Sequence, residues 1–428
     1  MNKKIPFLLL ISTSIYANST TLSIDKLIEI ALKNSPDVQI GRLNFDASKA
    51  RERFQVGYYY PHIDISAQAD KGYSKFKTNS SRSIELLSGE ITLYQLLYDF
   101  GKQSSSVEAS LEESLSYKAQ MYQIVSNKIL EVKETYYEIL KAYEIKEAYR
   151  KNLTLQKNQL YRAKKYLKAG IRTIIDVSDA KIRLEEAKRD LANAQYNIEL
   201  LYAKMENILG KKISLNDKKL YRVKLKNISL LKQIPIVKES LSRLKKYAYK
   251  HRYILKSIKH SIKQSKSILS ATKKSYYPTI SLRADYTNRH LDRDVINTLA
   301  QRESHISLDV SMNVFDGFQK ASKVEEAKLK MLMIKSQKES IKLAINQEVL
   351  NSYLSVRRAK DNIALNETIL KRAKEKLSQA KKRYENGLSD FIELQISQQD
   401  YINSLIALKS SYYDYFIEIA RLNYSIGR

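Results

Sequence analysis

The chain has 428 residues, and its 75 Lys and Arg against 46 Asp and Glu give it a formal charge of +29. It contains no Cys, which excludes a disulfide framework, and its ten Gly and five Pro leave few places for turns. The charge raises nucleic acid as a partner, but the cations are interleaved with Glu along helical segments and form no basic aromatic motif. A general bias toward Lys, Ile, Asn and Tyr accounts for the charge, and no nucleic-acid partner is expected.

Lys3 and Lys4 precede an apolar run at 5–11 and small residues up to Ala17, the order of a secretory signal peptide cleaved after Ala17. That run is too short to span a bilayer as a helix, and no later stretch reaches eighteen apolar residues. Removing 1–17, with its two Lys and no acid, lowers the charge to +27.

Ser23 caps a helix over 24–34, and Ser35 with Pro36 restarts one that runs to the Tyr58, Tyr59, Tyr60, Pro61 punctuation. Beyond Pro61, Ile63, Ile65, Ala67 and Ala69 alternate with His62, Asp64, Ser66 and Gln68, predicting a strand over about 62–71. A polar segment at 72–83 joins it to a second strand at about 89–99. From 102 to 169 there is neither Gly nor Pro, so this stretch is predicted as one helix, about 100 Å long at 1.5 Å per residue. Tyr122, Val125, Ile129, Val132, Tyr136, Ile139 and Tyr143 step along it by three and four, a narrow coiled-coil seam. Gly170 breaks the helix, and a partner runs back to Gly210, completing a helical hairpin over 102–209.

The second half retraces this path at an offset of 217 positions. Pro61 answers Pro278, Asp99 answers Asp316, Gly170 answers Gly387 and Gly210 answers Gly427, while Gly101 answers Gly317 within one position. Gly and Pro fix backbone geometry, so their recurrence marks duplication rather than similar composition. The expected organisation is a signal peptide at 1–17, a first repeat at 18–217, a connecting segment at 218–236 and a second repeat at 237–428. In the second repeat one helix over 237–277 precedes strands at about 279–287 and 305–315, followed by a helical hairpin over 318–426. Ile306, Leu308, Val310, Met312 and Val314 alternate with polar residues in the last strand.

Each strand has the length that a tilted strand needs to cross a bilayer, with one apolar and one polar face. Four strands do not close a membrane barrel and an open edge is not tolerated in lipid. Copies of the chain must therefore supply strands to one another, giving eight in a dimer or twelve in a trimer.

With these features in place the chain resembles the TolC-like outer-membrane efflux proteins over essentially its whole mature length. Tyr60–Pro61 and Tyr277–Pro278 look like that family's helix-to-strand junctions, and LYDFGK at 97–102 and VFDGFQK at 314–320 look like its strand-to-helix exits. AGIRTIIDVSDAKIRL at 169–184 is similar to its tip pattern. NGLSDFIELQISQQ at 386–399 departs from that pattern, with Glu393 in place of Asp176 and Ile396 in place of Asp179.

The resemblance implies a mainly α fold with a membrane β-barrel portion: a homotrimer with a twelve-stranded barrel in the outer membrane, continued by a helical tunnel in the periplasm. It implies an outer-membrane channel of a tripartite efflux or type I secretion system that conducts drugs, small molecules or secreted proteins. The partners implied are outer-membrane lipid, a periplasmic adaptor and an inner-membrane transporter. Gly170, Thr173, Gly387 and Ser389 would form the adaptor-docking tips, and Arg172, Asp176, Asp179, Asp390 and Glu393 the periplasmic gate, in which Arg172 pairs with Asp390 or Glu393.

No enzyme is expected. There is no phosphate loop, nucleophile elbow or metal-spaced His pair, and His62, His251, His260, His290 and His305 are dispersed, so neither cofactor nor metal is predicted. Asp176 and Asp179 also suit the plainer role of dipole partners at a helix start. An exported periplasmic coiled-coil scaffold or adaptor without a pore is the alternative. It explains the heptads and the signal but not the two proline-initiated strand pairs.

Overall fold

The computed structural model describes residues 23–75, 81–171, 173–211, 237, 239–291 and 302–428. The expected signal peptide, the segment 218–236 and Arg172 lie outside the described residues. The elements run α1 (Ile24–Asn34), α2 (Pro36–Gly57), β1 (His62–Lys75), β2 (Ser81–Tyr98), α3 (Lys102–Lys168) and α4 (Ile174–Leu209). They continue with α5 (Leu241–His251), α6 (Tyr253–Lys274), β3 (Thr279–Leu291), β4 (Arg302–Ser311), α7 (Gln319–Glu385) and α8 (Phe391–Ile426).

The offset of 217 carries both ends of α1, α2, α3 and α4 onto the ends of α5, α6, α7 and α8. The duplication is therefore one of backbone path as well as of sequence. The caps repeat with it: Ser23 Oγ accepts the Lys26 N–H at 3.3 Å and Ser240 Oγ accepts the Arg243 N–H at 3.4 Å. At the far end, Gly210 and Gly427 follow α4 and α8 with φ of 63° and 82°.

The single helix expected over 237–277 is corrected: it is interrupted at Arg252, between α5 and α6. Arg252 is the repeat mate of Ser35, and the two share an extended backbone with ψ of 124°. No Pro marks the second break. It is held instead by the buried Arg252 guanidinium, which grips Glu348 with two bonds of 3.1 and 2.9 Å and donates to the Tyr424 carbonyl at 3.1 Å.

The four strands form one antiparallel sheet in the order β1-β2-β3-β4, so among the described residues β1 and β4 each present an unpaired edge. The first hairpin is longer than expected, because its ladder continues through Gly72↔Ile84 to Lys75↔Ser81. Backbone pairing does not need apolar side chains, so it extends into the polar stretch. β4 stops at Ser311, which leaves Met312 and Val314 beyond it.

Register aligns the faces. Ile63, Leu93, Ala284 and Ile306 make one cross-strand row, flanked by Ile65 with Ile91 and by Leu282 with Leu308. The opposite face carries Asp64, Thr92, Asp285 and His305 in one row and Ser66, Glu90, Thr287 and Glu303 in the next. Among the described residues nothing covers the apolar face at Ile65 and Ile306, which are 79% and 80% exposed.

The chain divides into two compact units, each drawing on both repeats. One comprises Met1–Asn34, Glu131–Val237 and Ala359–Ile417. Its largest core joins Leu27 and Ala31 of α1, Val132, Tyr136 and Ile139 of α3, Ile198, Tyr202 and Met205 of α4, and Tyr413 of α8. The other comprises Ser35–Leu130, Lys238–Arg358 and Glu418–Arg428, and it holds the sheet. Among the described residues no helix is long and apolar enough to cross a membrane.

Candidate functional site: helical tips and strand junctions

Both long helices end in the same turn. The Gly170 N–H bonds the Leu167 carbonyl at 3.1 Å and the Ile171 N–H bonds the Tyr166 carbonyl at 2.9 Å. The second tip repeats this with Gly387 to Tyr384 at 3.2 Å and Leu388 to Arg383 at 2.8 Å. This is a Schellman stop, and it requires the left-handed backbone seen at both glycines, φ 71°. A Cβ added to either would meet nothing within 4 Å, so these glycines answer to backbone conformation and not to crowding inside the chain.

The return helices start differently. At the first tip Asp176 reaches back, accepting from the Thr173 N–H at 3.1 Å and from its hydroxyl at 3.4 Å. At the second, Asp390 reaches forward and accepts the Glu393 N–H at 2.8 Å. Both put a carboxylate at a helix N-terminus, where the backbone dipole favours it. Asp390 thus does the capping in the second tip, and Glu393, which stands where Asp176 stands in the first, pairs with Arg383 Nε at 3.2 Å. Arg383 also donates to the Leu388 carbonyl at 3.3 Å, tying the last turn of α7 to the start of α8. Asp179 is half-buried and has no hydrogen-bond or ion-pair partner among the described residues.

The two tips share a core. Ala163 of α3, Val177 and Ala180 of α4, Ala380 and Tyr384 of α7, and Phe391 and Leu394 of α8 form one buried cluster. The Tyr384 ring lies 6.2 Å from Tyr166 and 6.0 Å from Phe391. Polar links cross from hairpin to hairpin, among them Arg162 to Glu385 at 2.7 Å, Arg183 to Gln395 at 3.1 Å and Gln156 to Gln398 at 3.3 Å. Ile171, Ile174, Ile175, Leu388, Ile392 and Ile396 remain exposed around this core. Ser389 is half-buried next to Asp390.

Thus Gly170, Thr173, Asp176, Asp179, Gly387, Ser389, Asp390 and Glu393 belong to two tips packed side by side. Arg172 lies outside the described residues, and the partner seen for Glu393 is Arg383. Sequence reasoning passed over Arg383. Its signal was a cation in the last turn of a helix, where it complements the dipole, facing an acid ten positions on.

At the other end of each long helix the junctions also repeat. The Tyr60 N–H bonds the Gly57 carbonyl at 2.9 Å and the Tyr277 N–H bonds the Lys274 carbonyl at 3.1 Å, turning the chain before Pro61 and Pro278. At the exits Asp99 accepts from the Gly101 and Gln103 N–H groups at 3.0 and 2.5 Å, and Asp316 accepts the Lys320 N–H at 3.0 Å. The glycine mismatch of one position has a backbone explanation. Phe100 and Gly101 have φ of 55° and 81°, and their mates Gly317 and Phe318 have 64° and 66°. Two consecutive left-handed residues are kept and only the order of Phe and Gly is exchanged. A bulky residue in this region costs about 1 kcal/mol or more. Phe100 stacks on Tyr277 at 5.2 Å, whereas Phe318 and Phe315 are 73% and 74% exposed.

Among the described residues no group of three or more His, Cys, Asp or Glu is placed to hold a metal ion. The site offers capped helix ends, paired charges and exposed apolar side chains.

A mainly helical chain with a small amphipathic sheet and paired helical tips has the make-up of an outer-membrane channel subunit. The model of the family described as "Outer membrane efflux protein" matches residues 27–211 and 247–428. The chain belongs to that family, whose members are efflux channels rather than enzymes, and its place is the outer membrane. It is similar to the outer membrane protein TolC of Vibrio cholerae, with 21% identity over 442 residues, covering 100% of this chain and 96% of that protein. It is also similar to Protein CyaE of Bordetella pertussis, with 22% identity over 391 residues, covering 90% of this chain and 79% of the relative. Among solved structures it shares the fold of CusC, with a TM-score of 0.83 at 16% identity, covering 97% of this chain and 95% of the other.

Proposed function

We propose that three copies of the chain join their sheets into one twelve-stranded barrel in the outer membrane, continued by a helical tunnel in the periplasm. The observation that carries this is the sheet: one face on which Ile63, Ile65, Ile306 and Leu308 are exposed, an opposite face that carries Asp64, Glu90, Asp285 and Glu303, and two edges unpaired among the described residues. Lipid satisfies the first, a water-filled lumen the second, and neighbouring copies the third. A pore-less periplasmic scaffold leaves all three unsatisfied.

In this reading the protein is a passive conduit for drugs, small molecules or secreted polypeptides delivered by an inner-membrane transporter through a periplasmic adaptor. The adaptor docks on the tips, where Ile171, Ile174, Leu388 and Ile392 offer apolar contact and the open space around Gly170 and Gly387 admits another chain. Asp176, Asp179, Asp390 and Glu393, with the cations Arg172 and Arg383, set the charge of the entrance.

Membrane fractionation with unheated and heated gel electrophoresis tests the proposal. The expected result is extraction from the outer membrane only by detergent, as a species three times the chain mass that collapses on heating. Recovery as a water-soluble monomer from the periplasm would overturn it.

A further inference from the structure

A cavity of about 640 Å³ opens where the sheet gives way to helix. Gln55 of α2 and Gln264 of α6 line it, together with Lys102 from the first turn of α3 and Lys320 and Lys323 from the start of α7. These helices stand in a row: Arg51–Glu113 joins α2 to α3, Lys263–Glu112 joins α3 to α6, and Arg252–Glu348 joins α6 to α7. A cavity that touches all four lies on one side of that row. Asn313, which also lines it, continues the polar series Ser307, Asp309 and Ser311 of β4, and its carbonyl accepts from Lys320 Nζ at 2.6 Å. The cavity therefore opens on the side of the sheet's polar face, which is the lumen in the channel reading. Its hydrogen-bonding groups do not balance. The lining has two carboxylates and both are engaged, Glu113 by Arg51 at 3.0 Å and Asp316 by the Lys320 N–H at 3.0 Å. Lys102 and Lys323 make no hydrogen bond or ion pair among the described residues. Glu326, one turn beyond Lys323, is held by Lys330 at 2.5 Å. Ammonium groups only donate, so the cavity presents donors and lacks acceptors for them.

We propose that this cavity binds organic anions, small apolar bodies that carry carboxylate or phosphate groups, between Lys102 and Lys323 with Lys320 beside them. The unpaired cations set the sign of the ligand's charge, and the Gln264 amide can turn its N–H groups toward the same oxygens. Ala109, Ile268 and Ala271 also line the cavity, so a bare inorganic ion would leave this apolar part unfilled. The volume is that of a site for a drug-sized molecule. Both Lys102 and Lys323 are exposed, so water screens each contact and binding is weak. Weak binding suits a passage, because a conduit must release what it attracts.

The proposal rests on the channel reading above and adds a class of solute that the lumen favours. The probe is trimesate, a benzene ring bearing carboxylates, with the matching uncharged benzene triol as control. Each is added to the detergent-extracted assembly, in single-channel recording across a planar bilayer and in titration calorimetry. Trimesate is expected to reduce the current in a concentration-dependent way and to release or absorb heat, and the triol to do neither. Lys102→Gln with Lys323→Gln should raise the half-blocking concentration about tenfold and weaken the calorimetric affinity equally. Lys266→Gln removes an exposed cation of α6 outside the cavity and should change neither. Equal block by trimesate and triol, or block and heat that persist in the double variant, would overturn the anion site, while the current steps themselves uphold the channel reading. Inserted protein that carries no current overturns the channel reading, and the calorimetric difference between parent and double variant then decides the site by itself.

Discussion

Arg252 shows how much one side chain does in this fold. Its backbone breaks a helix, and its guanidinium, 7% exposed as a residue, joins α6 to α7 through Glu348 and to α8 through the Tyr424 carbonyl. Glu348 is partly open to water, which screens the pair, so removal costs less than for a fully buried one. Arg252→Ala is expected to destabilise the chain by about 2 kcal/mol, read as a lowered thermal midpoint by circular dichroism, with Lys at this position recovering only part of the loss. An unchanged midpoint would show that the break is held by backbone alone. At the tips, the Cβ that Gly170→Leu or Gly387→Leu adds meets nothing within 4 Å. Each is expected to cost about 1 kcal/mol in backbone strain, to leave assembly intact and to abolish export in cells. Export that survives both changes would place adaptor docking elsewhere. Arg383→Ala frees Glu393 from its partner, and the expected outcome is longer openings in single-channel records. Records matching the parent would assign closure to the shared apolar core.

Among the elements, β4 gives the sharpest contrast, because adjacent residues face opposite solvents. Val310 pairs with Ile280 on the apolar side and Asp309 with Ser281 on the polar side. Val310→Arg puts a cation on the lipid face near a strand end, where the cost is below the roughly 2 to 4 kcal/mol of the midplane but recurs in every copy, and should cut the yield of assembled barrel. Asp309→Asn should leave the yield unchanged, and equal yields would reverse the faces. The helical seams carry buried tyrosines whose ionisation the fold opposes. Burial pushes the Tyr136 hydroxyl up to about 12, and burial with a bond to Glu367 does the same to Tyr412. The folded state thus keeps protons that the unfolded state has released, so stability is full below pH 10 and falls as pH rises toward 12. On alkaline titration the tyrosinate absorbance contributed by Tyr136 and Tyr412 should appear only together with loss of helix; complete ionisation of the tyrosines with helix intact would contradict the burial. The period-two and heptad patterns were legible in the chain because each residue type there reports its own solvent. The break at Arg252 was not, since a polar residue tied to partners 96 and 172 positions away leaves no local mark. The ends of β1 and β2 were also hidden, because Lys75↔Ser81 is backbone pairing with no apolar signal.

For the whole molecule, duplication is the organising fact. One offset relates eight helices, both tips and both junctions. The tips were legible as Gly-stopped hairpins, but their shared core of Tyr384, Phe391 and Val177 comes from residues on four helices and has no sequence motif. The account stands on the sheet being part of a water-filled barrel, and conductance of the purified protein in a planar lipid bilayer tests that most directly. The predicted result is discrete, uniform current steps from the detergent-extracted assembly, reduced in number by Val310→Arg and altered in open time by Arg383→Ala. Assembled protein that inserts and passes no current would contradict it.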